Sequence, residues 1–317
     1  MGRVTVVGAG VIGLSVAHEL AAAGHTVRIL ADREAAASTS GMAAAIWFPH
    51  DVKRSAQVLD ASAVTYQRFQ RLAEDPDTGV AMRAGTVLSR RPDPDLSWTR
   101  AVPHYEPLDP ARVPGGATGV RCVVPLIQTD VYLTWLRTAV LALGVEIRTA
   151  EVRSLAEVQG SEKPDAIVVA AGLRSAALLG DDDEVYPIRG QVVRLANPGL
   201  TDWITDQDNP GGLTYVVPRR HDVVCGGTGE AGSWDDQPDP ETEAAILRRV
   251  RALVPELAGQ PVLSRGVGLR PARSSVRVEA VPGQALPVIA CYGHGGAGFT
   301  LSWGDAARVT TLIGPPT

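Results

Sequence analysis

Ten residues near the N-terminus, Val4-Thr5-Val6-Val7-Gly8-Ala9-Gly10-Val11-Ile12-Gly13, constrain the fold more than any other stretch of the chain. A short apolar run ends in Gly-x-Gly-x-x-Gly, and Leu14 to Ala23 continues as a helix stopped by Gly24. Each glycine has a distinct physical role. Gly8 makes the tight turn off the strand, Gly10 lets the backbone approach a pyrophosphate, and Gly13 lets the helix pack close on the sheet. The phosphates would rest on free N–H groups at the helix N-terminus, at the positive end of its dipole. With 33 glycines in the chain the spacing alone says little, but its context is complete. A second strand follows at His25–Leu30, and Asp32 stands where an acid takes a ribose hydroxyl. The unit implies a dinucleotide and leaves open which one.

The rest of the composition excludes several classes. A net charge of −5 argues against nucleic acid or an anionic membrane as partner. No run approaches the ~18 apolar residues of a membrane span. The N-terminal apolar stretch passes directly into the glycine turn, unlike a signal peptide. Ile313-Gly314-Pro315-Pro316-Thr317 carries no Ser-Lys-Leu tag, so a cytoplasmic location is expected. Cys122, Cys225 and Cys291 are far apart and read as buried apolar thiols, so no metal is expected. The only lysines, Lys53 and Lys163, lack a context for Schiff-base chemistry. A homodimer is the commonest arrangement for such a chain.

Along the chain, Asp32 to Trp47 is rich in small and hydroxylated residues. It reads either as a loop feeding an alanine-rich helix or as a second backbone wall against a flat cofactor. Apolar spacing predicts helices over Ser55–Leu72, Asp130–Leu143 (with Asp130 as N-cap), Ser175–Leu179, Pro240–Val254 and Thr300–Leu312. Residues 80–125 have the texture of antiparallel strands and their loops. Further strands are predicted at Val145–Arg148, Asp165–Gly172, Val185–Leu195 and Leu213–Gly227, with two more in Val262–Val281 around a turn at Arg270-Pro271. A last strand from Pro287 runs into the cluster Tyr292-Gly293-His294-Gly295-Gly296-Ala297-Gly298. Units of the dinucleotide type therefore lie at the start, middle and end of an α/β chain, separated by β-rich inserts. The expected division is a cofactor-binding domain from 1–50, 139–186 and 265–317, and a substrate domain from 51–138 and 187–264.

No placed general acid stands out. His18, His25, His50, His104 and His221 are scattered, and His294, in the last glycine cluster, suits a site or a turn. Arg270, at the end of an apolar strand before Pro271, is a candidate carboxylate clamp. Its planar fork matches two carboxylate oxygens and it keeps its charge. A solvated arginine is the competing reading. Tyr215, after Pro210-Gly211-Gly212-Leu213-Thr214, could add a phenol to the same carboxylate or could be a core residue.

On these residues the chain resembles, end to end, the D-amino-acid oxidases, flavoproteins of the glutathione-reductase type. The stretches that carry the resemblance are the glycine turn with Ala31-Asp32-Arg33, Ala44-Ala45-Ile46-Trp47, Gly268-Leu269-Arg270-Pro271 with Arg273, and Tyr292 to Gly298 with Trp303-Gly304. The resemblance implies a Rossmann-like FAD-binding domain interleaved with an antiparallel-sheet substrate domain, and FAD held non-covalently. Gly8, Gly10, Val11, Ile12 and Gly13 would face the pyrophosphate and adenosine half. Asp32 and Arg33 would take the ribose, and Ser38, Thr39 and Ser40 the phosphate-side loop. Ala44, Ala45 and Ile46 would present backbone to the flavin. Val152 matches an adenine-side strand, and Ala171-Gly172 a Thr-Gly turn lacking its threonine. Gly295, Gly296, Ala297, Gly298 and Thr300 would cover the pyrimidine end, where a helix N-terminus favours negative charge.

The implied reaction oxidises a D-amino acid, most simply a neutral or basic one, to a 2-oxo acid and ammonia. Molecular oxygen is the acceptor and becomes hydrogen peroxide. Hydride passes from Cα to flavin N5 without a side-chain base, so the protein's work is orientation. Arg270 and Tyr215 would hold the carboxylate, and the Gly296 carbonyl would accept from the amino group. Three departures stand out: Ala290-Cys291 replace a family histidine before Tyr292, the lid at Asp206–Thr214 is short and lacks a tyrosine, and the long C-terminal extension is missing. Siblings of the same fold, acting on D-aspartate, glycine or sarcosine, are the near alternatives. D-aspartate would need an extra cation, for which Arg219 and Arg220 are the nearby residues, carried out of the pocket by Val216-Val217-Pro218. A non-catalytic FAD- or NAD-binding protein is the remote one.

Overall fold

Val4–Val7, Ala166–Val169 and Val288–Tyr292 are buried along their whole length. Strands apolar on both faces need a covering layer on each side, the condition of a parallel sheet inside α/β layers. In the computed structural model, which describes residues 2–50, 52–109, 111, 113, 116–180 and 182–316, that sheet has six strands. Asp51, at the expected domain boundary, and Thr317, at the chain end, lie outside the described residues. The strand order is Arg277–Ala280, Val288–Tyr292, Ala166–Val169, Arg3–Val7, Thr26–Ala31, Glu146–Thr149. All neighbours run parallel except the first pair. Val6 lies between Ile29 and Val168, so the glycine turn leaves from the middle of the sheet.

The first helix spans Val11–Ala22 and buries Leu14, Val16, Ala17 and Leu20 against the sheet and the last helix, Gly298–Ile313. Truncating Leu20 to alanine there would cost ~2–5 kcal/mol. Ala56–Leu72, capped by the Ser55 hydroxyl, packs on the last helix, and Thr129–Ala142 on the first. Two expected starts move. Gln128 stands at the N-cap of the latter helix, and Asp130 sits inside its first turn, where a carboxylate complements the dipole. The last helix begins two residues before Thr300.

The second sheet has nine strands. Its spatial order is Glu230–Ala231, Tyr186–Ala196, Asp222–Gly226, Thr214–Pro218, Trp203–Asp206, Val80–Ser89, Thr118–Ile127 and Tyr105–Pro107, with Val262–Ala272 also paired to Tyr186–Ala196. The last pairing corrects the expected turn at Arg270-Pro271. Val262–Ala272 runs through both residues, and the chain turns only after Ala272. Pro271 is tolerated because it stands near the strand's end, opposite Pro187. The boundary expected at residue 265 falls inside this strand. Trp203–Asp206 is a strand too short to show in the sequence. Its Trp203 is buried and donates Nε1–H to the Arg83 carbonyl at 3.0 Å. Among the described residues no helix is long and apolar enough to cross a membrane.

Candidate active site

A cavity of about 560 Å³ is bounded by residues of both sheets. The glycine turn opens into it. Gly8 has φ +113°, and a Cβ there would lie 2.3 Å from the Ala170 carbonyl oxygen. Gly8, Gly10, Val11 and Ile12 line the cavity. Gly13 lies off it: its added Cβ would meet the Gly8 carbonyl oxygen at 2.0 Å, so this glycine serves helix packing. The first turn of the helix holds no acidic residue to oppose an anion.

Ser38, Thr39 and Ser40 also line the cavity, and their hydroxyls tie the loop together. Ser38 donates to the Ala35 carbonyl at 2.6 Å, Thr39 to the Leu269 carbonyl at 2.9 Å, and Ser40 accepts from the Val11 N–H at 3.0 Å. Asp32 and Arg33 stand at the rim. The Asp32 carboxylate accepts from Arg33 at 2.7 Å and Arg174 at 3.2 Å. The Arg33 hydrogen bond holds that carboxyl below its ordinary range against partial burial, with Arg174 adding to the effect. Val152, Ala171 and Gly172 border the same end. Val152 follows the strand Glu146–Thr149 and is not part of one. It is fixed by its carbonyl, which accepts from Arg174 at 3.2 Å.

At the other end Ala43–Ile46 forms one wall, between a short helix over Thr39–Met42 and an isolated bridge of Ile46 to Leu126. Ala45 has φ +56°, a left-handed conformation that alanine adopts only when its surroundings hold it. Gly295, Gly296 and Gly298 also line the cavity. His294 pins this loop: its Nε2 lies 3.1 Å from Asp305 Oδ2 on the last helix, both side chains being buried. That arrangement favours the turn reading of the histidine. Ala297 and Thr300 are buried behind the lining, where the Thr300 hydroxyl accepts from the Phe48 N–H and donates to the Phe48 carbonyl. Their effect on the cavity is indirect.

Arg270 and Tyr215 converge here. Arg270 donates to the Thr228 carbonyl at 2.9 Å, and its guanidinium lies flat against Gly190, where a Cβ would come within 2.5 Å of Nη2. The Tyr215 ring packs on Gly226 and Gly227, the two residues before Thr228. A cation and a phenol thus face one end of the cavity from adjacent positions, beside the Ala43–Ile46 wall. Sequence reasoning named Leu213 as a pocket-wall residue but missed His50 and Gln207 beside it. These line both this cavity and an adjoining chamber of about 740 Å³, and His50 Nδ1 lies 3.0 Å from Gln207 Nε2. The position of His50 just beyond Ile46-Trp47-Phe48-Pro49 was the available signal. The short lid is braced by the buried Asp206, which accepts from Arg90 and, at 2.9 Å, from Asn209. Arg249 secures it from below through the Leu213 and Gly227 carbonyls.

These residues suit an elongated dinucleotide carrying a flat ring system. The glycine turn leaves no room for a side chain where a pyrophosphate would approach, an ionised acid lines the same cavity, and small residues wall another part of it. Residues 3–312 match the FAD-dependent oxidoreductase family. The chain belongs to that family. It is 43% identical to the D-amino-acid oxidase of Rubrobacter xylanophilus over 98% of this chain and 96% of the relative. It is 32% identical to the human D-aspartate oxidase, covering 98% and 94%. The glycine oxidase structure from Geobacillus kaustophilus matches with a TM-score of 0.81 at 20% identity over 99% and 95%, a likeness of fold. Among the described residues of this oxidoreductase no group of three His, Cys, Asp or Glu side chains could hold a metal ion.

Proposed function

We propose that the oxidoreductase converts D-amino acids to 2-oxo acids and ammonia, with oxygen as acceptor and hydrogen peroxide as the second product. The observation that carries this reading is the convergence of Arg270 and Tyr215 on the cavity end walled by Ala43–Ile46 and Gly295-Gly296. Gly8, Gly10, Val11 and Ile12 would hold the pyrophosphate of FAD, Asp32 its ribose, and Ala44, Ala45, Ile46, Gly295 and Gly296 its ring system. FAD bound there supplies the two-electron acceptor for the substrate Cα–H bond and returns the electrons to oxygen. The protein's own part is geometric. Arg270 takes both carboxylate oxygens, Tyr215 donates to one of them, and the Gly296 carbonyl accepts from the amino group, which leaves Cα facing the wall.

The substrate side chain then points toward His50, Gln207 and Leu213 and the adjoining chamber. There Arg54 pairs with Asp95 and Arg91 with Asp208, each at 3.1 Å, so most charges cancel. Neutral and basic D-amino acids are the preferred class on this reading. Arg219, the cation considered for D-aspartate, is buried outside the cavity lining. Arg249 supports an acidic side chain as the second reading, because it lines the chamber and donates to the Leu213 and Gly227 carbonyls and the Thr214 hydroxyl. Three free buried thiols suit a reducing, cytoplasmic setting. A peroxide assay over D-alanine, D-lysine, D-aspartate, glycine and L-alanine tests the proposal. Turnover of D-alanine without L-alanine is expected. A colourless protein that binds NAD and releases no peroxide would overturn it.

A further inference from the structure

Residues 41–46, which include the Ala43–Ile46 wall, are held from behind by two arginines that do not line the cavity. Arg219, 5% exposed, donates through Nη2 to the carbonyls of Ala43 at 2.6 Å and Ala44 at 3.3 Å, and through Nη1 to the Thr129 hydroxyl at 3.1 Å. Arg194 donates to the Gly41 carbonyl at 3.3 Å, and Ile127 N–H to the Ala45 carbonyl at 2.8 Å. In a trans peptide the N–H points opposite to its C=O. Carbonyls 43, 44 and 45 are all taken on the protein side, so the N–H groups of Ala44, Ala45 and Ile46 point to the other side, into the cavity. The left-handed Ala45 sets the angle between the two peptides that flank it, the Ala44 carbonyl being held by Arg219 and the Ala45 carbonyl by the Ile127 N–H. A cation on a carbonyl polarises its peptide and strengthens the N–H at the far end.

We propose that Arg219 is the positioning residue of the cofactor wall: it aims and polarises the Ala44–Ile46 N–H groups and so favours added negative charge on the flavin. This rests on FAD occupying the cavity as proposed above. The groups facing Arg219 are Arg194, itself 3.8 Å from Asp222, together with Asp222, Asp130 and Tyr215. Arg219 directly follows the strand Thr214–Pro218, which carries Tyr215, so one strand and its exit set both the substrate phenol and the flavin wall. Burial lowers the Arg219 pKa to about 10, which still leaves the side chain charged at neutral pH.

Sulfite adds reversibly to oxidised flavin and bleaches its visible band, so its dissociation constant reports how well the site accepts negative charge. For purified holoenzyme, Arg219→Met is expected to weaken sulfite binding about tenfold or more, the size of one charged hydrogen bond. FAD binding to the apoprotein, followed by fluorescence, should weaken by a similar factor. Arg219→Lys keeps the charge without the fork, and should recover most of the sulfite affinity while FAD stays weakened. Sulfite and FAD constants within about twofold of wild type in folded Arg219→Met would overturn the proposal, even with a lowered Tm. If that variant does not accumulate, Arg219→Lys and Thr129→Val decide. Weakening of FAD binding by about threefold in both supports the proposal and unchanged constants overturn it. A wild-type protein that binds no FAD would instead remove the functional reading itself.

Discussion

Gly190→Ala tests the carboxylate clamp without removing any charged side chain. The new methyl would lie 2.5 Å from Arg270 Nη2 and 2.7 Å from Cζ, inside any real carbon contact. Reaching ordinary contact requires the guanidinium to retreat by about 1 Å. The strand itself has no reason to fail, since Gly190 pairs in register with Gly268 and the offending atoms end a long side chain. A misplacement of ~1 Å can cost about 10²-fold in rate, so kcat/KM for D-alanine should fall by roughly two decades. Stability should change by no more than ~1 kcal/mol. Arg270→Ala, which removes one side of a charge pair worth ~3–5 kcal/mol, should lose roughly two to four decades while the protein keeps its yellow flavin. Peroxide kinetics and thermal melts on the three proteins make the comparison. Near-normal kcat/KM in both variants would refute the clamp. A large loss of Tm in Gly190→Ala would refute the claim that its only effect is to displace Arg270.

Three further outcomes follow from buried groups. Burial pushes the Cys122 and Cys225 thiols up to about 12 and holds Cys291 well above the ordinary thiol value, so a thiol reagent at pH 8 should label none of them until the protein is denatured; rapid native labelling would show that a site is open. Burial raises the Asp182 carboxyl, but the Tyr292 hydroxyl, the Glu184 N–H and Arg273 together bring it below its ordinary value. A depressed folded pKa contributes stability above the unfolded value of ~3.9 that is lost as pH falls through the folded one. Asp182→Asn should therefore lower Tm at pH 7 by the equivalent of ~1–3 kcal/mol and flatten its decline below pH 4, and a parallel decline would argue against the network. Asp206→Ala leaves Arg90 without its buried partner, and should raise KM and cost ~3 kcal/mol or more in denaturant melts. An unchanged KM would mean that the lid needs no brace.

The nucleotide end was legible because it is local: strand, glycine turn, helix and acid fall within the first 32 residues, where period and spacing suffice. The reactive end is assembled from residues 43 to 296, and resemblance rather than pattern joined Ala44, Arg270 and Gly296. Arg219 shows why pattern fails there. In Pro218-Arg219-Arg220-His221-Asp222 it reads as a hairpin turn, and its absence from the pocket wall is as expected, yet nothing local shows that it folds back onto Ala43. Pro271 suggested a turn because proline ends most strands, but the ladder tolerates it opposite Pro187. Gly13 and Thr300 belong to the right stretches and act by packing, a distinction that needs coordinates.

The position of Val288–Tyr292 between Arg277–Ala280 and Ala166–Val169 has a consequence for how the molecule is made. During synthesis the glycine turn and its neighbouring strands emerge early, but Ala166–Val169 keeps an unpaired edge until residue 292 has left the ribosome. Such an edge is an opening for wrong pairing between nascent chains. The sheet can close only by joining Val288 to Ile167, 121 residues apart, a slow kind of contact to form. A transcript truncated before this strand would leave a chain with its phosphate turn intact and no way to complete the sheet that holds it.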